Sequence, residues 1–258
     1  MKIQAEISYF EESLRAEGRP TRASGEKRYL KSTFDFLGVT TPVLRRVVAT
    51  WLRRHPQLSR DELARLSRAL FRRRIHELKV VAIVLLERRQ QLLVAGDIDT
   101  LEWMLRRSFT WAYVDALAIH VVGPLVERRP ELNARLDAWA LDPDFWLRRA
   151  ALLALLLPLR RGGGDWTRFV RYADGMLAEH EFFIRKAIGW VLREVAKNRP
   201  PLVETFLRRR LDSVSGVTVR EGVKYLGPCE RDVLLAGYRA NYKRGKSTRR
   251  RESSSGRS

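Results

Sequence analysis

The stretch EFFIRKAIGWVLREVAKNR, Glu181 to Arg199, decides the fold. Phe183, Ile184, Ala187, Ile188, Val191, Leu192 and Val195 recur at steps of three and four, which predicts one buried face on an α-helix. Most other positions are charged, as on a helix edge turned to water. Trp190 fits less simply, because it stands four residues after Lys186 and shares a strip of the helix with it. A large aromatic beside a cation on a half-exposed strip suits a sugar, a base or a phosphate. The plainer alternative places Trp190 in the core and leaves Lys186 solvated.

The helix repeats. Asp144-Phe145-Trp146-Leu147-Arg148-Arg149-Ala150 aligns with Glu181-Phe182-Phe183-Ile184-Arg185-Lys186-Ala187 at an offset of 37, class for class. An offset of 34 towards the N-terminus sets Asp115 opposite Arg149, and one of 35 towards the C-terminus sets Arg220-Glu221 opposite Arg185-Lys186. His76 to Ala82 falls on the same frame one unit earlier. A helix-pair period in the high thirties predicts an all-α, HEAT-like helical-repeat solenoid whose second helices line a concave basic face. Asp115, Arg149 and Lys186 then form a row along that face.

The remaining segments are helical too. Ile3 to Glu17 is amphipathic, and Arg19 to Lys31 reads as a loose basic arm carrying Tyr29. Thr41-Pro42 starts a helix buried through Leu44, Val47, Val48, Trp51 and Leu52. Ser59 to Glu62 forms a capping box, and Thr218 to Glu221 reads as a second. Helices are expected at about 75–94, at 97–107 and from Thr110 to an interruption at Gly123-Pro124. Others follow at 132–141, from Asp144 to a stop at Pro158, and, after the Gly162-Gly163-Gly164 joint capped by Asp165, at 166–178 and 201–211. No segment alternates like a strand. A single domain over 1–242 and a disordered basic tail over 243–258 are expected.

The 258 residues carry 50 Lys+Arg against 30 Asp+Glu, a net charge of +20. The tail from Lys243 supplies +6, so the body holds +14. Arginines near predicted helix C-termini explain part of this, and the rest points to a polyanion, most often nucleic acid. One cysteine, Cys229, excludes an internal disulfide, and four histidines without ligand spacing argue against a metal site. No apolar run reaches the ~18 residues of a membrane span, and the N-terminus lacks signal-peptide order. A cytoplasmic monomer without cofactor or metal is expected.

The row carries chemistry. Trp111 lies one turn before Asp115, and Trp190 one turn after Lys186. An N-alkylated purine is cationic, so its bond to the sugar is already weak. Breaking that bond builds an oxocarbenium-like sugar, which a fixed carboxylate stabilises while it orients a water. Indole faces hold the sugar and add cation–π attraction, and Arg149 and Lys186 grip flanking phosphates.

TWAYVD (Thr110–Asp115), FWLRRAAL (Phe145–Leu152) and EFFIRKAIGWVLREVAK (Glu181–Lys197) resemble the AlkD-type DNA alkylation repair glycosylases, as does KRYLKSTFDFLGVTTP (Lys27–Pro42). The resemblance spans about residues 5–230. It implies base-excision removal of N3- and N7-alkylpurines, such as 3-methyladenine and 7-methylguanine, from duplex DNA without base flipping. By position it makes Asp115 the catalytic carboxylate, Trp111 and Trp190 the aromatic walls and Arg149 the phosphate-binding arginine. Arg148, Arg185, Lys186, Phe182, Phe183, Tyr29 and Lys224 are the further candidates for contacting DNA. One departure is visible: the family commonly has an aromatic just before the first tryptophan, and here Thr110 stands there. A non-catalytic DNA-structure-binding paralogue and a protein-binding adaptor are the alternatives. The intact Trp111, Asp115, Arg149 and Trp190 disfavour the first, and the basic body disfavours the second.

Overall fold

The computed structural model describes residues 1–255, with side chains through Tyr242. The chain divides into two compact units, Met1–Ala138 and Trp139–Ser258. Among the described residues there are helices and no strand, save one isolated parallel bridge between Asp35 and Ile75. The fold is all-α and built of helical repeats.

The first unit runs through α1 (Ile3–Arg15), α2 (Pro20–Tyr29), α3 (Thr41–Arg54), α4 (Arg60–Phe71), α5 (His76–Arg88), α6 (Ile98–Leu105), α7 (Trp111–Leu117) and α8 (Gly123–Arg128). Its core gathers Phe10, Trp51, Leu63, Phe71, Leu78 and Tyr113, all fully buried. Helix α9 (Asn133–Trp139) ends at the boundary. The second unit holds α10 (Phe145–Ala154), α11 (Leu156–Arg160), α12 (Trp166–Met176), α13 (Phe182–Ala196), α14 (Pro200–Arg208), α15 (Gly216–Gly222) and α16 (Pro228–Ser255). The expected disordered tail at 243–258 falls on residues whose side chains, and at the end whose backbone, lie outside those described.

The stretch quoted first is α13, which packs against α10, α11, α12, α14 and α15. Ile184, Ala187, Ile188, Val191, Leu192 and Val195 are buried, as the periodicity predicts. Phe183 is only half-buried, because it lies against Trp146 and Phe145 at centroid distances of 5.1 and 6.4 Å. Gly189 is buried for a different reason. A Cβ placed there would stand 2.8 Å from the Cβ of Glu221 and 3.1 Å from the Cα of Thr218 on α15. The two helices approach as closely as they do because no side chain separates them. Gly189→Ala is therefore expected to lower stability by about 2 kcal/mol, the usual scale of overpacking against backbone that cannot yield. A urea midpoint shift at unchanged m-value checks it.

The repeat is written into the polar contacts. Bonds between neighbouring helix pairs recur at separations of 35 to 38 residues, as in Arg60–Asp97, His76–Tyr113, Lys186–Glu221 and Asn198–Arg160. The aligned helices α10 and α13 also start alike. Asp144 accepts from the Trp146 N–H at 2.9 Å, and Glu181 from the Phe183 N–H at 3.1 Å. Arg148 and Arg185 each reach back six residues to a carbonyl, of Asp142 and Glu179 respectively.

Four local expectations are corrected. Arg19 to Lys31 is not a loose arm: Pro20 opens a helix there, and the Arg19 N–H is pinned to the Leu37 carbonyl at 3.0 Å. Gly38 completes that anchor, with φ +77 and no room for a Cβ beside the Arg19 carbonyl. Gly123-Pro124 does not interrupt its helix, because α7 widens into a π-helical turn at Ala118–Val122 and continues into α8. The wider turn accommodates a ring that would otherwise meet the carbonyl four residues back. Pro158 does not stop α10, which ends at Ala154; the proline sits in the first turn of α11, where its missing N–H costs nothing. Finally, Thr218 to Glu221 is no capping box. Ser215 caps α15 by accepting from the Thr218 N–H at 3.1 Å, and Glu221 is left to turn inward.

Candidate active site

In the first unit, Thr110 caps α7 through its hydroxyl, which accepts from the Ala112 N–H at 3.5 Å. Its polar side chain thus has a structural use that an aromatic could not fill. The helix carries Trp111 and Asp115 one turn apart. Trp111 is half-buried, while Asp115 is only 8 % exposed. The Tyr29 ring meets Trp111 edge-on, centroids 6.0 Å apart at 88°, and is itself 73 % exposed. Two candidates far apart in sequence are brought together.

The opposite side of α7 is locked. Tyr113, two residues from Asp115 and so on another face, is fully buried, with its hydroxyl 2.7 Å from Nδ1 of His76. The imidazole stacks on Phe36 with centroids 4.4 Å apart. Burial pushes the His76 pKa down to about 4, against a smaller opposing pull from Glu77, so the ring is neutral at pH 7. Burial likewise pushes the Tyr113 hydroxyl up, which keeps it a donor. A neutral, hydrogen-bonded pair fixes the rotation of α7 and with it the direction of Asp115. Glu77 holds the chain below: its carboxylate accepts from the N–H groups of Leu37, Gly38 and Val39 at 2.9, 2.7 and 3.3 Å.

Phe109 is a residue the sequence reading passed over. It is 69 % exposed and holds a left-handed backbone, φ 52. That conformation costs a non-glycine residue roughly 1–3 kcal/mol and is retained most often at functional sites. Phe109 is thus an exposed aromatic two residues before Trp111 in the chain.

In the second unit, Arg149 is buried, donates through Nη1 to the Phe183 carbonyl, and lies 5.8 Å from that ring's centroid. Arg148 is bidentate on Glu179 at 2.8 and 2.9 Å and also donates to the carbonyls of Asp142 and Pro143. Arg185 is bonded to the Glu179 carbonyl at 2.6 Å and faces His180 Nδ1 at 2.9 Å. These guanidiniums are already used to shape the starts of α10 and α13. Phe182 is exposed, and Trp190 is half-buried one turn from Lys186.

Lys186, Lys224 and a third cation, Arg193, converge on Glu221. Its carboxylate accepts from Lys186 at 2.6 Å, from Arg193 at 2.5 Å, and from Lys224 at 3.0 Å on each oxygen. Burial by itself would raise its pKa, but the hydrogen bonds from Lys186 and Lys224 and the charge of Arg193 outweigh this and hold it at about 2. The role of Glu221 was missed, although the repeat frame sets it opposite Lys186. An acid at that place in the row was the available signal.

With this geometry in hand, the relationship to known proteins is specific. The family model described as DNA alkylation repair enzyme matches residues 10–226. The chain belongs to the DNA alkylation repair enzyme family. A solved structure, described as a predicted DNA alkylation repair enzyme from Enterococcus faecalis, superposes with a TM-score of 0.73 at 25% identity, covering 82% of this chain and 98% of that one. No curated protein matches. The family region contains every candidate residue named above. Among the described residues, no cluster of histidine, cysteine and carboxylate side chains could hold a metal, and no helix is long and apolar enough to cross a membrane.

Proposed function

We propose that this member of the family is a DNA glycosylase that hydrolyses the N-glycosidic bond of cationic alkylpurines, 3-methyladenine and 7-methylguanine among them, in duplex DNA. The observation that carries the reading is Asp115: a carboxylate almost withdrawn from water, one turn from a half-buried tryptophan, on a helix whose rotation is fixed from behind. A carboxylate in such surroundings interacts strongly with positive charge, because little water screens it. The leaving base already carries its charge, so no acid is needed to expel it. As the bond lengthens, charge moves onto the sugar, and the fixed carboxylate stabilises it without reorganising. The same group orients the water that attacks the anomeric carbon. The product is an abasic site and a free base.

Trp111 offers an indole face to the sugar, with the Tyr29 ring beside it. Trp190 has the matching role assigned by the resemblance, and Arg149 a phosphate contact. Of the further DNA candidates, Phe182 and Tyr29 are exposed, whereas Arg148 and Arg185 are committed to neighbouring chain and Lys186 and Lys224 to Glu221. The reaction proceeds without flipping the base, through contacts to the backbone and sugar of the lesioned strand, and without a metal or cofactor. Incubation with duplex DNA methylated at N7 of guanine is expected to release 7-methylguanine and leave alkali-labile sites. Tight duplex binding with no base released would instead make the chain a non-catalytic binder.

A further inference from the structure

Trp103, on α6, is surrounded by arginines. The guanidinium carbons of Arg68, Arg107 and Arg72 lie 4.4, 4.7 and 5.5 Å from its ring centroid. Any two of them are therefore within about 10 Å, one Debye length at moderate salt, and repel one another. Among the described residues no carboxylate is paired with any of the three; Arg107 makes one long bond, 3.5 Å, to the Trp103 carbonyl. The neighbouring Arg106 is different, being bonded to Glu102 at 2.8 Å. Charge at the C-terminal ends of α4 and α6 is favoured in its own right, which accounts for single arginines there. It does not account for three gathered on one indole with no counter-charge.

The geometry also says what kind of ligand is left to bind. A guanidinium stacked on an aromatic uses its planar face and keeps its N–H donors in the plane, pointing outwards. With three guanidinium carbons within 5.5 Å of its centroid, the indole is not offered to a base as a platform. Outward forks of donors fit the paired oxygens of phosphates. The cluster is moreover separate from Asp115. Phe71 lies between, with its ring 6.3 Å from Trp103 and 5.9 Å from Tyr113, and Tyr113 leaves α7 on another face from Asp115.

We propose that Arg68, Arg72 and Arg107, held on Trp103, form a second nucleic-acid contact that binds the phosphodiester backbone of duplex DNA regardless of sequence or damage. Only the choice of a DNA ligand rests on the repair reading; the excision chemistry does not enter. The test is fluorescence anisotropy with an unmodified duplex between roughly 50 and 200 mM salt, where each phosphate contact contributes about 0.9 to the log–log slope. The exposed pair is changed first, as Arg72→Gln with Arg107→Gln, which leaves the half-buried Arg68 in place. The slope is expected to fall by about two and affinity at the lower salt by roughly tenfold. The Arg72→Lys, Arg107→Lys protein should keep the parental slope. An unchanged slope in the glutamine protein overturns the proposal, as does an equal loss in the lysine protein, which would mean altered packing and not lost charge. Base release by the parent is scored separately. A fall in slope with no base release by the parent retains the cluster and removes the glycosylase, whereas base release with no fall in slope does the reverse.

Discussion

Asp115→Asn is expected to bind alkylated duplex DNA nearly as well as the parent and to release 7-methylguanine on the order of 10²–10³ times more slowly. The substitution keeps the size of the side chain and its position one turn from Trp111, and removes its charge. Substrate binding draws on the backbone phosphates and the sugar, neither of which is positively charged in the ground state. The barrier is different, since sugar charge exists only near the transition state. An interaction of that kind lowers the rate with little change in affinity. Single-turnover release at saturating protein separates the two quantities. A rate within a few-fold of the parent would remove Asp115 from the mechanism. The local fold supplies an internal control: the lock on α7 runs through His76 and Tyr113, which the substitution leaves in place.

Much of the helical framework that carries the candidate residues was legible because it is periodic. Trp111 to Asp115 and Lys186 to Trp190 are one-turn pairs, and helical spacing alone puts each pair on one strip. The 37-residue offset between α10 and α13 was visible in residue class, and the matching caps and the matching reach of Arg148 and Arg185 follow from it. What escaped was partner choice. Arg148 and Arg185 were candidates for contacting DNA, yet each is spent on the turn before its own helix. Nothing in a single sequence distinguishes a guanidinium aimed at solvent from one folded back on a carbonyl. Glu221 was mistaken for half of a capping box because capping depends on where a helix starts, and Ser215 starts α15 three residues earlier. Phe109 escaped because its exposure follows from a left-handed backbone that no propensity predicts.

Glu221→Gln is expected to destabilise the protein by about 3 kcal/mol at neutral pH and, at low salt, to tighten its grip on duplex DNA. The two effects have one cause. The carboxylate is buried and receives Lys186, Arg193 and Lys224, and an amide cannot balance three positive charges. Removing one partner of a buried ion pair costs more than forming the pair gains, because the remaining charges stay poorly solvated. The figure is held to the lower end of that range because the lysines are partly in water. The pH dependence has a definite sign. The folded pKa, about 2, lies below the ordinary value of 4.5, so the carboxylate's contribution is complete above pH 4.5 and is lost as pH falls towards 2. The stability gap between parent and variant should therefore narrow through that window, which denaturant midpoints taken across it would reveal. On DNA the sign reverses. Cations released from Glu221 are free to meet phosphates, so the salt slope should steepen as affinity rises. A variant that lost stability and affinity together would show that Glu221 holds Lys186 and Arg193 in the geometry DNA requires, instead of competing with phosphates for them.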